Sequence, residues 1–206
     1  MLAPKTLTQG KYLNLLLSKA PVVIGSGPAG TGKTLFACHV GAKALVSGRV
    51  DRLILTRPAV SVDEQHGFLP GNLKKKMDPW TRPMFDALHK YITPQKVNQL
   101  ILDEKIEIAP LAYMRGRTFD NAWIIGDEMQ NSTPSQMKML LTRIGEGSKM
   151  VITGDPDQHD RGFDLNGLSD LLDRIENSGS IFHVKFEEDD VVRSEVIKEI
   201  LGIYEN

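Results

Sequence analysis

One octapeptide constrains the fold of this chain more than any other segment. Residues 27–34 read Gly-Pro-Ala-Gly-Thr-Gly-Lys-Thr, which matches the G-x-x-x-x-G-K-[ST] pattern of a phosphate-binding loop. An apolar run precedes the octapeptide at residues 21–24, and apolar residues at helical spacing follow it. A strand, a glycine-rich turn and a helix in this order predict a nucleotide-binding α/β domain.

The residues of this loop have separate expected roles. Gly27, Gly30 and Gly32 allow backbone angles that other residues avoid, so successive N–H groups can turn toward a di- or triphosphate. The start of the following helix adds unpaired N–H groups and the positive end of its dipole. We expect Lys33 to reach the β- and γ-phosphates of ATP and the Thr34 hydroxyl to be a ligand of Mg²⁺. The expected nucleotide-binding residues of the loop are Gly27, Pro28, Ala29, Gly30, Thr31, Gly32, Lys33 and Thr34.

Beyond the loop, short apolar runs alternate with segments of helical periodicity. Strands are predicted at residues 52–56, 106–108, 122–125, 150–153 and 181–186, and helices at 35–45, 134–144, 168–175 and 193–204. This alternation predicts a parallel sheet that is covered by helices on both faces. Prolines and glycines interrupt the rhythm, so we expect a loop-rich insertion around residues 58–103. Within it, residues 83–103 have helix-like patterning in two pieces that Thr93-Pro94 separates. A length of 206 residues suits one domain over residues 1–206.

Composition restricts the class of protein further. Lys and Arg total 25 against 26 for Asp and Glu, so any nucleic-acid-binding surface must be local. The single cysteine, Cys38, cannot form an intrachain disulfide and fits a reducing compartment. No apolar run approaches the roughly 18 residues of a membrane-spanning helix. We therefore expect a cytoplasmic protein that does not enter a membrane.

A second nucleotide motif occupies residues 123–128, Trp-Ile-Ile-Gly-Asp-Glu. An apolar strand that ends in two carboxylates is typical of a Walker B segment. We expect Asp127 to hold Mg²⁺ together with Thr34, and Glu128 to polarise the attacking water, from a strand beside the phosphate loop. A glutamate directly after this aspartate favours hydrolysis over transfer to a bound acceptor.

The following strand ends in Gly-Asp-Pro-Asp-Gln at residues 154–158. In helicase-like ATPases, a G-D-x-x-Q element after a core strand lets the glutamine contact the γ-phosphate and couple hydrolysis to movement. We assign Gln158 this sensor role and expect Asp155 to position it. A plain Gly-Asp-Pro turn is the alternative interpretation.

Long strings elsewhere match one family. They lie at residues 56–58, 67–71, 114–118, 127–131, 136–138 and 141–145, in addition to the phosphate loop. On these strings, nearly the whole chain resembles the PhoH-like ATPases and looks like the ATPase core of their short bacterial and phage forms. The resemblance implies a RecA-like P-loop NTPase fold, a three-layer sandwich with a mostly parallel central sheet that is related to superfamily 1 helicase cores. It also implies ATP hydrolysis with Mg²⁺ and an action on RNA or single-stranded DNA.

Two residues take their expected roles from the resemblance alone. Gln9 looks like a glutamine that reads adenine, and a solvated glutamine is the alternative. Arg193 is similar to the late arginine with which such ATPases meet the γ-phosphate. An exposed arginine at a helix start is the alternative for that position.

Three arginines are candidates for contacts with nucleic acid. Arg57, at the end of the second strand, stands where helicase-like proteins touch the backbone of a single strand. Arg115 and Arg117 flank a glycine and can approach one phosphate path. These two arginines can instead serve the nucleotide of a neighbouring subunit.

One phosphate loop in one core predicts an incomplete ATP site, because a translocating helicase closes two RecA-like surfaces on one ATP. We expect a homo-oligomeric ring, a hexamer, in which Arg193, or Arg115 or Arg117, completes the neighbour's site. Two other functions stay open. One is an ATP-driven regulatory or protein-remodelling module that does not touch nucleic acid. The other is a small-molecule kinase, which the proposed roles of Glu128 and Gln158 disfavour.

Overall fold

Six parallel strands form the central sheet. The computed structural model describes residues 2–58, 82–158, 166–176 and 178–192, together with residue 196. Within these ranges the strands are β1 (Val22–Ser26), β2 (Arg52–Arg57), β3 (Ile106–Pro110), β4 (Ala122–Gly126), β5 (Lys149–Gly154) and β6 (Ile181–Lys185). Their order across the sheet is β3-β2-β4-β5-β1-β6, and every pairing is parallel. All six strands therefore end at one carboxyl edge.

Helices cover both faces of this sheet. They are α1 (Leu7–Leu17), α2 (Lys33–Val46), α3 (helical at residues 82–89), α4 (Pro94–Leu102), α5 (Pro134–Leu141) and α6 (Gly167–Arg174). Short 3₁₀ helices lie at Leu111–Met114, Met129–Asn131 and Glu188–Asp190. Threonine side chains cap α1, α4 and α5, and α5 has a complete capping box between Thr133 and Gln136. Among the described residues, no helix is both long and apolar enough to cross a membrane.

The strands alternate between two apolar cores. On one face Leu53, Ile125 and Val151 join a core that includes side chains of α1, α2, α3 and α4. On the other face Ile124 and Ile152 join a core that includes side chains of α5, α6 and the Leu111–Met114 helix. Because both faces are buried, each inner strand has a continuous apolar run, such as residues 53–55 and 150–152, rather than alternate polar residues. The α/β three-layer sandwich expected from the sequence is confirmed.

Two details differ from the sequence-based expectation or lie outside it. The strand that carries Asp127 is not beside the phosphate-loop strand, since β5 lies between β4 and β1. Helix α1 was not predicted, and its buried side chains fill the core next to α2. Helices α3 and α4 confirm the two helical pieces expected within residues 83–103. Residues 59–81 and the predicted closing helix, apart from residue 196, lie outside the described residues.

Candidate active site

The phosphate loop joins β1 to α2 at the carboxyl edge of the sheet. Gly27, Gly30 and Gly32 have φ angles of +121°, +83° and +87°, in the region that glycine adopts without strain. A Cβ on Gly27 would lie 2.1 Å from the carbonyl oxygen of Phe186. The Gly27 N–H donates to the carbonyl of Gly154 at 3.1 Å, which fixes the start of the loop to the end of β5. Backbone conformation thus favours glycine at all three positions, and close packing also requires it at Gly27.

Lys33 begins α2 and folds back into the loop. Its Nζ donates to the carbonyl oxygens of Gly27 at 2.5 Å and Pro28 at 2.7 Å, and to the Thr31 hydroxyl at 3.2 Å. No side chain caps the helix start at Gly32, so its first N–H groups are available to an anion. The ammonium group and the helix start therefore lie together at the expected phosphate position.

The charge of Lys33 depends on two opposing effects. Burial lowers the pKa of Lys33 below its ordinary value, and the nearby carboxylates of Asp155, Glu128 and Asp127 oppose that decrease. A bound phosphate would supply the same kind of stabilisation as these carboxylates, because it is an anion with strong acceptor oxygens.

The structure brings together the two residues predicted to hold Mg²⁺. The Thr34 hydroxyl donates to Oδ1 of Asp127 at 2.6 Å, and the Thr153 hydroxyl donates to the same oxygen at 2.5 Å. Asp127 is buried, and its N–H donates to the carbonyl of Thr56, which ties the end of β4 to β2. In the described part of the chain, no group of three or more His, Cys, Asp or Glu residues is arranged to hold a metal by itself. A hydroxyl and one carboxylate fit Mg²⁺ whose remaining ligands come from phosphates and water.

Glu128 adopts an unusual backbone conformation directly after β4. Its φ of +52° and ψ of +40° lie in the left-handed region, where a residue other than glycine carries strain of about 1 to 3 kcal/mol. Two neighbours hold its side chain: Arg57 Nη2 donates to Oε1 at 3.2 Å, and Gln130 Nε2 donates to Oε2 at 2.5 Å. The side chain remains 43% exposed, so it can reach a water molecule in the adjoining cavity.

Gln130 is a site residue that the sequence analysis missed. It is buried, and its Oε1 accepts the backbone N–H of Asp155 at 3.2 Å while its Nε2 binds Glu128. One side chain thus links the carboxylate after β4 to the loop after β5. A Cβ on Gly154 would lie 2.5 Å from Gln130 Oε1, so this approach requires glycine at position 154. Residues 127–131 were recognised as a string, but the role of Gln130 depends on the sheet order.

Arg57 contacts both the predicted metal ligand Asp127 and the predicted catalytic carboxylate Glu128. Its Nε donates to Asp127 Oδ2 at 3.0 Å and its Nη2 to Glu128 Oε1 at 3.2 Å, with 15% of its side chain exposed. The contact follows from sheet register. Thr56 of β2 pairs with Gly126 of β4, and Arg57 and Asp127 are the residues that follow these two. The expected contact of Arg57 with nucleic acid stays a prediction, and it requires the guanidinium to move away from these carboxylates.

The loop after β5 brings Gln158 to the site through a backbone turn. The N–H of Gln158 donates to the carbonyl of Asp155 at 3.2 Å, and Oδ1 of Asp155 accepts the N–H of Asp157 at 3.1 Å. Asp155 is buried and Gln158 is exposed. Asp155 therefore organises the turn, while the Gln158 side chain is accessible to a ligand. Its γ-phosphate sensor role stays a prediction.

A cavity of about 590 Å³ connects these groups. Its size lies within the range of small-molecule sites, about 300 to 1,000 Å³. The lining includes Gln9, Ala29, Gly30, Gly32, Lys33, Thr34, Asp127, Glu128, Asp155, Gln158 and Val192. Gln9 is buried, its Nε2 donates to the Thr31 carbonyl at 3.0 Å, and its Oε1 accepts the Lys5 N–H at 2.7 Å. Its predicted adenine contact would use the second Nε2 proton or replace one of these bonds.

The remaining predicted residues lie away from the carboxylates or outside the described ranges. Arg193 is outside them, although the preceding Val192 N–H donates to the loop carbonyl of Gly30 at 3.3 Å. Arg117 binds both carboxylate oxygens of Glu107 and lies over the Phe119 ring. The hydrogen bond from this guanidinium to Glu107 raises the pKa of Arg117. Arg115 is exposed at a separate cavity beside α5.

The family described as "PhoH-like protein" matches residues 1–205. The chain belongs to this family. It is 46% identical over 202 residues to the PhoH-like proteins of Synechocystis sp. and Bacillus subtilis, an overlap that covers 98% of this chain and 61% and 63% of those proteins. Protein PhoH of Escherichia coli K12 is 43% identical over 197 residues, which are 94% of this chain and 55% of that protein. This PhoH-like chain therefore spans about three fifths of the length of these relatives.

A solved structure with the same fold is the large terminase of a thermophilic bacteriophage. One crystal form superposes with a TM-score of 0.58 at 13% identity, covering 97% of this chain and 50% of the terminase chain. A form in complex with ADP gives a TM-score of 0.53 at 16% identity, with 96% and 49% covered. At these identities the similarity shows the fold alone. The chain thus has a P-loop NTPase fold.

Proposed function

We propose that this PhoH-like protein is an Mg²⁺-dependent ATPase that couples hydrolysis to the binding or unwinding of RNA or single-stranded DNA. One observation carries the catalytic part of the proposal. Thr34 and Asp127 are in direct contact while the neighbouring Glu128 opens toward the same cavity. This combination provides a metal site and a carboxylate for water activation at one phosphate loop.

The residues present fit a nucleotide with its metal. The loop and Lys33 would hold the phosphates, while Thr34 and Asp127 would hold Mg²⁺. Bound Mg²⁺ would supply positive charge that stabilises the phosphates as the terminal bond breaks. Lys33 already offers a buried ammonium group whose acceptors are loop carbonyls, and phosphate oxygens can replace these acceptors.

Glu128 is the residue that we propose as general base. Its Oε1 and Oε2 each accept a hydrogen bond, from Arg57 and Gln130, which orients the carboxylate. A carboxylate fixed in this way can accept the proton of an attacking water without first reorganising. Gln158 lines the same cavity, which supports hydrolysis over transfer to a second substrate.

The polymer and the oligomer are the other parts of the proposal. Arg57, Arg115 and Arg117 are the proposed nucleic-acid contacts, and a polyanion that attracted Arg57 would release Glu128 from its ion pair. We further propose a cytoplasmic homo-hexameric ring in which Arg193, or Arg115 or Arg117, completes the site of the neighbouring subunit. Native mass measurement with ATP and Mg²⁺ tests the ring, and a monomer under these conditions would contradict it.

The experiment is phosphate release from ATP with Mg²⁺ or EDTA, in the presence and absence of single-stranded RNA and DNA. Wild type should hydrolyse ATP only with Mg²⁺, and polymer should change the rate by an amount that declines as salt rises, because phosphate contacts displace counterions. Lys33→Ala should lose nucleotide binding, while a control change of an exposed lysine, Lys19→Ala, should be neutral. ATP hydrolysis without any polymer effect would favour a protein-remodelling function.

A further inference from the structure

A second cavity, of about 560 Å³, lies away from the nucleotide site. We call it the α5 groove. Its lining consists of Ala112, Arg115, Ser135, Gln136, Lys138, Met139 and Thr142. One wall is therefore the 3₁₀ helix Leu111–Met114 with Arg115, and the other is an outward face of α5, on which the lining residues recur every three or four positions.

Both walls begin at the edge of the sheet that carries the candidate active site. Pro110, the last residue of β3, pairs in register with Arg57, and the 3₁₀ helix Leu111–Met114 follows it. Helix α5 begins shortly after the 3₁₀ helix Met129–Asn131, which contains Gln130. The groove is thus connected on each side to a residue that contacts Glu128.

The groove is basic within a chain whose net charge is −1. Among the described residues that line it, Arg115 and Lys138 are cations and none is Asp or Glu. Arg143 lies next to it, since its guanidinium donates to the Thr142 hydroxyl at 3.1 Å and to the carbonyl of Arg117 at 2.9 Å.

The sequence segments that form the groove are basic as well. Residues 108–119 and 129–145, which supply both walls, contain four arginines or lysines and no acidic residue. In the structure, Glu107 pairs with one of the four, Arg117. Among the described residues, Arg115 and Lys138 form no ion pair, as expected of a surface that binds a polyanion.

The uncharged groups favour a sugar–phosphate backbone over a folded protein. Ser135 contributes a hydroxyl, whereas the Thr142 hydroxyl already donates to the Met139 carbonyl at 2.9 Å. Gln136 contributes an amide whose Oε1 already accepts the Thr133 N–H in the helix cap. The Gln136 NH₂ group is therefore the end that can donate outward. Hydroxyl and amide donors beside arginine and lysine are typical of phosphate contacts, which position a strand without reading its sequence. Tyr113 on the same wall is 52% exposed, and an exposed aromatic ring can stack on a base.

We propose that the α5 groove binds the sugar–phosphate backbone of single-stranded RNA or DNA. This inference rests on the proposed coupling of ATP hydrolysis to nucleic acid, and it adds Ser135, Gln136, Lys138 and Thr142 to the site. A strand in the groove would contact Ser135 and Gln136 in the first turn of α5, five and six residues beyond Gln130. Because Gln130 holds Glu128, binding in the groove is linked to the carboxylate that we assign to water activation.

The test compares wild type with the double variant Arg115→Ala/Lys138→Ala by fluorescence anisotropy on labelled oligouridine and oligodeoxythymidine across a salt series. Each lost phosphate contact lowers the magnitude of the slope of log K against log salt by about 0.7 for a single strand, so the double variant should lose about 1.4. Relative to its own ATP turnover without polymer, the stimulation of the double variant by polymer should decline. The polymer that binds wild type more tightly identifies the substrate.

Two control variants keep the result interpretable. Lys19→Ala/Lys96→Ala removes the same charge from two exposed lysines outside the groove and should keep wild-type binding. Arg115→Lys/Lys138→Arg preserves charge and should retain most of the salt slope. Thermal melting of each variant verifies folding, and the groove side chains are surface groups that should not change it by much.

Three outcomes would overturn the inference. If wild type binds polymer and the groove variant binds it equally well, the assignment of polymer binding to the α5 groove is wrong while the proposed function stands. If the groove variant forms a smaller oligomer than wild type in a native mass measurement but keeps polymer binding, the groove is a subunit interface instead. If wild type binds neither polymer at low salt, the proposed coupling to nucleic acid fails, and the groove assignment fails with it.

Discussion

Arg57→Met removes the guanidinium that contacts both candidate catalytic carboxylates and keeps an unbranched apolar stem. In wild type, Arg57 Nε lies 3.0 Å from Asp127 Oδ2 and Nη2 lies 3.2 Å from Glu128 Oε1. Asp127 is 2% exposed and Arg57 is 15% exposed. The substitution therefore leaves a buried carboxylate without its neighbouring cation when no metal is bound.

The size of the effect follows from the partners that remain. Removing one member of a buried ion pair typically costs about 3 to 5 kcal/mol. Asp127 keeps hydrogen bonds from the hydroxyls of Thr34 and Thr153, so we expect a loss of about 2 to 3 kcal/mol in the free energy of unfolding. In a chain of this size, that loss corresponds to a decrease in Tm of about 4 to 12 °C.

Adding Mg²⁺ with ADP should reverse most of this loss. Asp127 regains a cation under these conditions, and Arg57 no longer competes for its carboxylate. The variant should therefore gain about 2 kcal/mol more stabilisation than wild type, which corresponds to roughly 30-fold tighter binding of Mg-ADP. A variant that loses the same free energy with and without ligand would refute the idea that Arg57 takes the place of the metal charge.

The assay is urea unfolding of wild type and Arg57→Met with and without Mg-ADP, together with isothermal titration for affinity. Arg49→Met is the matched control because Arg49 is exposed and its guanidinium contacts Ser47 rather than a carboxylate. That control should behave as wild type in both conditions. Unchanged stability of Arg57→Met without ligand would show that the ion pairs contribute nothing to the folded state.

Three further changes test separate parts of the structure. Gln130→Met should lower kcat by about 10-fold or more, because it frees the Glu128 side chain, while the affinity for Mg-ADP stays near wild type, because the phosphate loop is unchanged. Equal losses in kcat and in Mg-ADP affinity would contradict a positioning role for Gln130. Gly27→Ala should lower the free energy of unfolding, measured by chemical denaturation, by more than about 3 kcal/mol. Gly48 also has a positive φ but has open space around it, so Gly48→Ala should lower the same free energy by about 1 kcal/mol. Burial lowers the pKa of Lys149 to about 8, so the unfolded chain binds more protons than the folded chain between that pH and about 10.4. From pH 8 to pH 10, the free energy of unfolding of wild type should therefore rise by about 1 to 2 kcal/mol relative to that of Lys149→Met. A difference that stays constant with pH would contradict this prediction.

The parts of the site that could be predicted from sequence are those carried by contiguous residues. The phosphate loop is one octapeptide, and its positive-φ glycines and helix-starting Lys33 are local consequences of that string. The proximity of Thr34 and Asp127 was expected, because both residues belong to motifs whose chemistry requires a shared metal, and their Mg²⁺ site itself stays a prediction. In each case the residue types alone indicate phosphate or metal binding, so the prediction does not depend on knowing the fold.

Contacts between separate strands could not be predicted in the same way. Arg57 and Asp127 are 70 residues apart, and their ion pair depends on β2 lying next to β4. Gln130 reaches the loop after β5 because β5 is the other neighbour of β4. The sequence shows alternating strands and helices but not the order in which those strands pair, so both contacts required the structure.

Helix α1 was missed for a different physical reason. Its sequence, Leu-Thr-Gln-Gly-Lys-Tyr-Leu-Asn-Leu-Leu-Leu, ends in a cluster of leucines that obscures the helical period. In the structure, Lys149 is buried against the end of this helix, where its Nζ donates to the carbonyls of Leu15, Leu16 and Ser18. A lysine on a strand thus completes the hydrogen bonding of a helix more than 130 residues earlier, and no local pattern reports that pairing.

The most direct test of the proposed hydrolysis is the phosphate-release rate of Glu128→Gln, measured with its affinity for Mg-ATP. The substitution keeps the shape of the side chain and removes the carboxylate that we assign as general base. It should keep wild-type affinity and lose turnover by about 100-fold or more, while the exposed-site control Glu146→Gln should lose nothing. Turnover by Glu128→Gln at the wild-type rate would contradict the assignment of water activation to Glu128.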